Sequence, residues 1–223
     1  MVLKLYAAPL STASLRVAQV LHEKNVLFEF IPIDLANKEQ KESEYLEKQP
    51  FGQVPYIDDD GFILYESRAI GRYLALKYAE QGTSLVPDIK DVQAWALFEQ
   101  AASNEYANFE SIAVKIVYEK FFKKRVGLEP DLAVYDAAYA QLSAKLDVYD
   151  QLLAKQPYLT GEKVTLADIF HLPFGTRLYQ AGAGDLIDSR PNVSRWFKSL
   201  QERASWVALK DGIKGTAPPI EAE

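Results

Sequence analysis

The chain has 223 residues, a net charge of −6, 48% hydrophobic and 25% charged side chains, and no cysteine. That length supports one large domain or two smaller ones with real cores, and the balance of residues excludes a disordered chain. The acidic total, with a pI near 5.1, argues against nucleic acid as a partner, and the lack of cysteine removes disulfides, thiol nucleophiles and thiolate metal sites.

No apolar run approaches the ~20 residues of a membrane helix. Neither terminus carries a leader or lipidation pattern. The expectation is a cytoplasmic protein with no membrane and no nucleic-acid partner. Only His22 and His171 occur, far apart and each within a helical pattern. A zinc site or a Ser-His-Asp hydrolase is therefore unsupported, and no metal is expected.

In chain order, "VLKLY" (2–6) reads as a strand. "PLSTASLR" (9–16) follows, with hydroxyls at Ser11, Thr12 and Ser14 ahead of helical spacing at Leu15, Ala18 and Leu21. Hydroxyls in that place most often cap a helix, so whether one also does chemistry is left open by this stretch alone. "LFEFIPI" (27–33) alternates as a second strand. "KEQKESEYLEK" (38–48) predicts a polar surface helix. "VPYI" and "FILY" flank "DDDG", a hairpin signal that accounts for the three aspartates without a cation. "ESRAIGRYLALKY" (66–78) predicts a closing helix. The order β-α-β, helix, hairpin, helix implies a four-stranded mixed sheet.

Residues 80–89 form a Gly/Pro/Ser connection, separating an α/β domain at 1–79 from an all-helical domain at 90–223. Beyond it, Trp95, Phe98, Ala102, Tyr106, Phe109, Ala113 and Ile116 recur on one helical face. So do Leu132, Tyr135, Tyr139, Leu142, Leu146, Tyr149 and Leu153. Two further helices are predicted in "TLADIFHLPFGTRLYQA" and "PNVSRWFKSLQERA". "KKR" (123–125) reads as a solvated helix end, and "GAGD" (182–185) as a turn.

Three places in the first domain suit a ligand. Pro55 cannot donate to a strand ladder, which leaves the backbone of Val54 open to an extended peptide. Glu66 and Ser67 open a helix, where free N–H groups and the dipole favour an anion; a plain N-cap by Ser67 is the ordinary alternative. Lys41 offers a cation. Together they suit a short peptide with charged ends.

"PFGQVPYIDDDGFILYESRAI", with "KLYAAPLS", resembles the soluble glutathione transferases, most closely the phi class, and the likeness covers nearly the whole chain. It implies a thioredoxin-like N-terminal domain with a cis peptide before Pro55, followed by an all-helical C-terminal domain. It implies glutathione as co-substrate, with Ser11 as the catalytic hydroxyl. Thr12, Gln40, Lys41, Gln53, Val54, Glu66 and Ser67 would bind the peptide. Gln40 stands where phi members commonly have histidine. On this view Thr12 or Ser14 is the better helix cap. Tyr6, near the end of the first strand where other classes place a catalytic tyrosine, is structural.

The implied activity is detoxification: conjugation of glutathione to apolar electrophiles, with peroxide reduction as a side activity. The alternative is a non-catalytic binding or scaffold protein. The apolar substrate is expected near Leu10, Leu35 and residues 112–122. "GEKVTLADI" resembles the family's capping box, with Thr165 and Asp168 as its pair. In the resembling family an aromatic at the place of Phe51 inserts between two helices of a partner subunit. A homodimer through Phe51, with Arg68 adding an ion pair, is therefore implied.

Overall fold

The computed structural model describes residues 2–216. Strand β1 (Leu3–Ala7) leads to helix α1 (Thr12–Glu23) and strand β2 (Phe28–Pro32). After a 3-10 turn (Glu39–Lys41) and a short helix α2 (Ser43–Leu46), strands β3 (Tyr56–Asp59) and β4 (Phe62–Tyr65) form the hairpin, and α3 (Ser67–Lys77) follows. The sheet order is β2-β1-β3-β4, with β1 parallel to β2 and antiparallel to β3. This is the mixed four-stranded sheet that the element order implies. Leu3, Leu5 and Ala7 alternate inward along β1, while Lys4 and Tyr6 lie on the other face, as the two-residue period of a strand demands.

The hairpin turns at Asp60 and Gly61, both with positive φ (58° and 87°), the backbone that a tight two-residue loop requires. The neighbouring aspartates are committed to the protein. Asp58 Oδ1 accepts from the Gly61 N–H at 2.8 Å. Asp59 Oδ2 accepts from the Tyr73 hydroxyl and is paired with Lys77.

One expectation is corrected here. Residues 38–48 do not form a continuous polar helix. Lys38 has φ 62°, and Glu42 is extended at φ −70°, ψ 150°. Each conformation interrupts a helical ladder, and the result is one 3-10 turn and one four-residue helix.

The second part of the chain is helical. Helix α4 (Val92–Asn104) runs through a π turn (Glu105–Glu110) into α5 (Ser111–Val117). A second π turn (Tyr118–Phe122) leads to α6 (Lys123–Arg125). Phe98, Ala102, Phe109, Ala113 and Ile116 are buried as the spacing predicts. Tyr106 is instead exposed, and Glu105 is buried beside it in the first π turn.

Helix α7 (Leu132–Leu153) buries Leu142, Leu146, Tyr149 and Leu153, but not Leu132, Tyr135 or Tyr139. The run predicted as one helix after Thr165 is two, α8 (Leu166–Ile169) and α9 (Leu172–Gln180). Pro173 stands at the start of the second, where its missing N–H costs nothing. Then come α10 (Asp185–Asp188), α11 (Pro191–Gln201) and α12 (Ala204–Val207).

The chain divides into two units. One is Leu85–Arg203, and the other takes the described residues up to Ser84 together with those from Ala204 to Thr216. The last segment thus belongs with the sheet domain, whereas the sequence places it with the helical one. Among the described residues no helix is long and apolar enough to cross a membrane, and no group of three or more His, Asp or Glu residues gathers to hold a metal ion.

Thr165 and Asp168 form the capping box. The fully buried Asp168 carboxylate accepts from the backbone N–H of Leu159 and of Thr165, both at 2.8 Å, and from the indole of Trp196 at 2.9 Å. Asp168→Ala would strand the buried Thr165 N–H and Trp196 indole and the half-buried Leu159 N–H, each costing about 1–3 kcal/mol. The expected loss is about 3–5 kcal/mol, against about 1 kcal/mol for Thr165→Ala. Urea unfolding of the two variants checks the ratio; equal losses would reduce Asp168 to an ordinary cap.

His171 is buried next to this box. Its Nδ1 lies 2.8 Å from Ala167 O and its Nε2 3.1 Å from the Tyr149 hydroxyl, which makes it a core residue. His22 is held below its ordinary pKa by burial.

Candidate active site

The strand registers decide where the ligand positions meet. Tyr6 of β1 is opposite Tyr56 of β3, which is opposite Tyr65 of β4, and Ala7 is opposite Pro32 of β2. The loop after β1, the turn before β3, the start of α3 and the connection after β2 therefore all leave the sheet at one end. The carboxyl end of parallel strands is where α/β sheets take ligands.

Ser11 follows β1 directly and caps α1. Its backbone is extended (φ −66°, ψ 132°), and its Oγ accepts from the Ser14 N–H at 3.5 Å. This corrects the expectation that Thr12 or Ser14 is the cap: Thr12 is the first helical residue. Ser14 is buried in the first turn, with no hydrogen-bond partner for its hydroxyl among the described residues. The Ser11 capping bond is at the outer limit of hydrogen-bond length. Its hydroxyl proton is available at a helix N-terminus that favours negative charge.

Gln40 and Lys41 lie on the 3-10 turn, close over the loop that carries Phe51. Lys41 Nζ donates to Phe51 O at 3.2 Å. Gly52 has φ +58°, and a Cβ there would stand 2.7 Å from both Gln40 O and Lys41 Nζ, so only glycine permits this approach. The backbone of Gln53 is anchored at both ends. Its N–H donates to Gln49 Oε1 at 3.2 Å, and its carbonyl accepts from the Tyr45 hydroxyl at 2.7 Å. Burial pushes the Tyr45 phenol well above its ordinary pKa, which keeps it a donor.

Val54 is different. Its N–H and C=O make no hydrogen bond among the described residues, and the Val54–Pro55 bond is cis. The backbone edge expected from Pro55 is present.

Glu66 occupies the cap position of α3 at φ 72°, ψ 104°, without a side-chain capping bond. A positive φ at a residue with a long side chain is strained, and such strain gathers at binding sites. Ser67 is the first residue of the helix, not its cap, so the ordinary alternative of a plain Ser67 N-cap fails. Ser67 is buried, and its Oγ accepts from Arg16 Nη1 at 2.9 Å. With the acceptor role filled by a cation, the hydroxyl proton is turned toward any other acceptor.

Arg16 joins the site although the motifs do not point to it. It is 1% exposed, yet it sits in the apolar run "LRVAQVL". A charged residue inside such a run was the available signal, since buried arginines need partners.

Tyr6 stacks on Tyr56, with centroids 4.4 Å apart, on the face of the sheet that carries Lys4. Leu10 and Leu35 are exposed, as are Val114 and Tyr118, whereas Ile112, Ile116 and Val117 are buried in the helical unit. Phe51 is 64% exposed, and its ring meets Tyr65 edge-on, with centroids 6.0 Å apart. Arg68 lies in the first turn of α3, and its carbonyl accepts from Arg72.

Fold and site together define a thioredoxin-like domain with a hydroxyl at the α1 N-terminus and a cis-proline turn, joined to a helical unit. The family "Glutathione S-transferase, N-terminal domain" matches residues 1–76, and "Glutathione S-transferase, C-terminal domain" matches residues 107–204. Glutathione S-transferase hmp2 of Hypomyces subiculosus is 46% identical over 208 residues, covering 93% of this chain and 97% of that one. Glutathione transferase F7 from Populus trichocarpa superposes with a TM-score of 0.90 at 34% identity, covering 94% of this chain and 98% of that one. Glutathione S-transferase I from maize, solved with an atrazine glutathione conjugate, gives 0.87 at 30% identity, covering 94% and 96%. The chain belongs to the glutathione S-transferase family, with the phi-class character that its first-domain motifs display.

Proposed function

We propose that this protein binds glutathione at the common end of its sheet and transfers the sulfur to apolar electrophiles, with Ser11 holding the thiolate. One observation carries the reading: the strand register brings the Ser11 loop, the free backbone of Val54 and the Glu66–Ser67 helix start to one edge. The main chain of the cysteinyl residue pairs with Val54. The γ-glutamyl end meets Glu66 through its ammonium and Ser67 through its carboxylate. The glycyl end meets Lys41 and Gln40, and Gln53 and Thr12 complete the peptide's contacts. Arg16, behind Ser67, adds positive potential where that carboxylate binds. The reaction is detoxifying conjugation in the cytoplasm, with peroxide reduction as a side activity. The relative from maize carries a glutathione conjugate, which supports transfer over a purely passive fold.

The experiment is conjugation of glutathione to a chloro-aromatic acceptor, alongside retention on immobilised glutathione. Retention without turnover would favour the binding-protein alternative.

Glu66→Ala and Ser67→Ala are expected to raise the KM for glutathione roughly 10-fold or more, the value of one hydrogen bond to a charged group. They should leave kcat nearly unchanged, because the γ-glutamyl end does not react and its binding is uniform along the reaction. Steady-state kinetics showing kcat collapsing at constant KM would overturn these roles.

The working form is a homodimer. In the helical unit a cavity of about 430 Å³ opens between α4 and α7, lined by Leu97, Ala101, Asn104, Val148 and Leu152 among others. Leu97, Val148 and Leu152 are exposed beside it. An exposed apolar face of this kind marks an association surface. Phe51 of the partner subunit is its occupant, used twice under two-fold symmetry, with Arg68 at the same interface.

A further inference from the structure

The segment after α12 reaches the loop that carries Ser11. Ile213 is buried, and its N–H donates to the carbonyl of Pro9 at 3.1 Å. Gly212 precedes it at φ +93°. A Cβ placed there would lie 3.2 Å from Pro9 O, 3.4 Å from Pro9 Cβ and 3.5 Å from Leu10 Cδ2. Three residues on, the tail pairs with the outer edge of β2: Thr216 N–H donates to Phe28 O, and Phe28 N–H donates to Thr216 Oγ1, both at 3.0 Å. The tail is thus fastened on β2 and presses on Pro9 and Leu10, the two residues before Ser11.

The loop itself is a single short turn. Within it, the Ser11 N–H donates to Ala8 O at 3.1 Å, which closes a turn over Pro9 and Leu10. Leu10 is 46% exposed. Proline has no N–H, so the carbonyl is the one backbone group by which Pro9 itself can be hydrogen-bonded, and Ile213 uses it. A hydroxyl that must meet a thiolate at hydrogen-bond length depends on its backbone to within a few tenths of an ångström.

We propose that Gly212 and Ile213 are positioning residues for Ser11: the tail sets the height of the Pro9–Leu10 turn, and through it the reach of the Ser11 hydroxyl toward bound sulfur. Neither residue touches the ligand. Any residue with a side chain at position 212 is disfavoured twice, by the positive φ and by the Pro9 carbonyl, so the close approach requires glycine. The inference rests on the Ser11 reading above and adds to it a determinant some 200 residues away in the chain.

The test is ultraviolet titration of the thiolate of bound glutathione, with kcat, KM and melting temperature measured on the same samples. Gly212→Val is expected to raise the pKa of the bound thiol by about half a unit to one unit and to lower kcat about three- to tenfold when it is measured a unit or more below that pKa, and about 1.5- to threefold at neutral pH. The KM for glutathione should stay within twofold, since the peptide's ends are held elsewhere. Gly212→Ala adds a single methyl and should give a smaller shift in the same direction; it serves if the valine variant fails to fold. Thr216→Val removes a bond to β2 without touching Pro9. It should lower the melting temperature and leave the thiol pKa where it is.

An unchanged thiol pKa in both Gly212 variants would overturn the positioning role. So would an equal shift in Thr216→Val, which would make the tail a general brace. A wild-type protein that does not lower the pKa of bound glutathione at all would instead sink the Ser11 reading.

Discussion

Ser11→Ala is expected to lower turnover at neutral pH by up to about 30-fold, because the charge-assisted hydrogen bond it removes, roughly 1.5–3 kcal/mol, is what keeps the bound thiol ionised. A thiol with a reference pKa of about 8.5 is only about 3% thiolate at neutral pH. Lowering that pKa by two units takes about 2.7 kcal/mol of differential stabilisation. The hydroxyl at the start of α1, aided by the helix dipole, is the group placed to supply it. Glutathione affinity should change by no more than a few-fold.

Because Ser11 also caps α1, part of any loss in the alanine variant could come from the helix. Ser11→Gly separates the two, since glycine replaces a capping serine at a cost of only a few tenths of a kcal/mol. Both variants should lose the lowered thiol pKa, seen by ultraviolet titration. A bound thiol that still ionises as in the wild type would remove Ser11 from the chemistry.

Phe51→Ala is expected to weaken self-association by roughly 10²–10⁴-fold. Burying one such ring is worth about 1.5–3 kcal/mol, and two-fold symmetry counts it twice, giving about 3–6 kcal/mol in the dimer. The ring is exposed at the tip of its turn, whose backbone is fixed by Gly52 and the Lys41 contact, and it meets Tyr65 edge-on. Sedimentation over a dilution series measures the effect. A monomeric wild type, or a variant dimer of undiminished affinity, would refute the lock.

Much of the fold was legible because burial imposes periods. Alternation in "VLKLY" and the three-to-four spacing after Phe98 survive almost unaltered as β1 and the buried face of α4 and α5, whereas "LFEFIPI" does form β2 but buries only Phe28 fully. What was not legible depends on a single dihedral or on a distant partner. The polar run at 38–48 has helix-forming side chains throughout, yet the backbone of Lys38 and Glu42 breaks it. Ser11 rather than Thr12 caps α1, and Glu66 rather than Ser67 caps α3. Each is a shift of one residue that propensity cannot resolve, because neighbouring hydroxyls and carboxylates compete for the same backbone N–H groups.

Arg16 and Gly212 are further from reach. Arg16 meets Ser67 across 51 positions, and Gly212 meets Pro9 from the opposite end of the chain. Neither closeness leaves a local pattern.

The unpaired backbone of Val54 has a consequence for how a catalytic cycle would end. On the proposed reading it would pair with the main chain of the peptide and be indifferent to what the sulfur carries, so a conjugate would keep the contacts of the peptide and lose only the charge-assisted bond from Ser11. The product would then be held by the same peptide contacts, with its new apolar group set against the lost thiolate bond. Discharge competes with recharging at one edge of the sheet, and turnover slows as conjugate accumulates unless another process removes it. Under such crowding the same molecule spends most of its time as a carrier of conjugates, and synthesis and storage become two ends of one concentration scale.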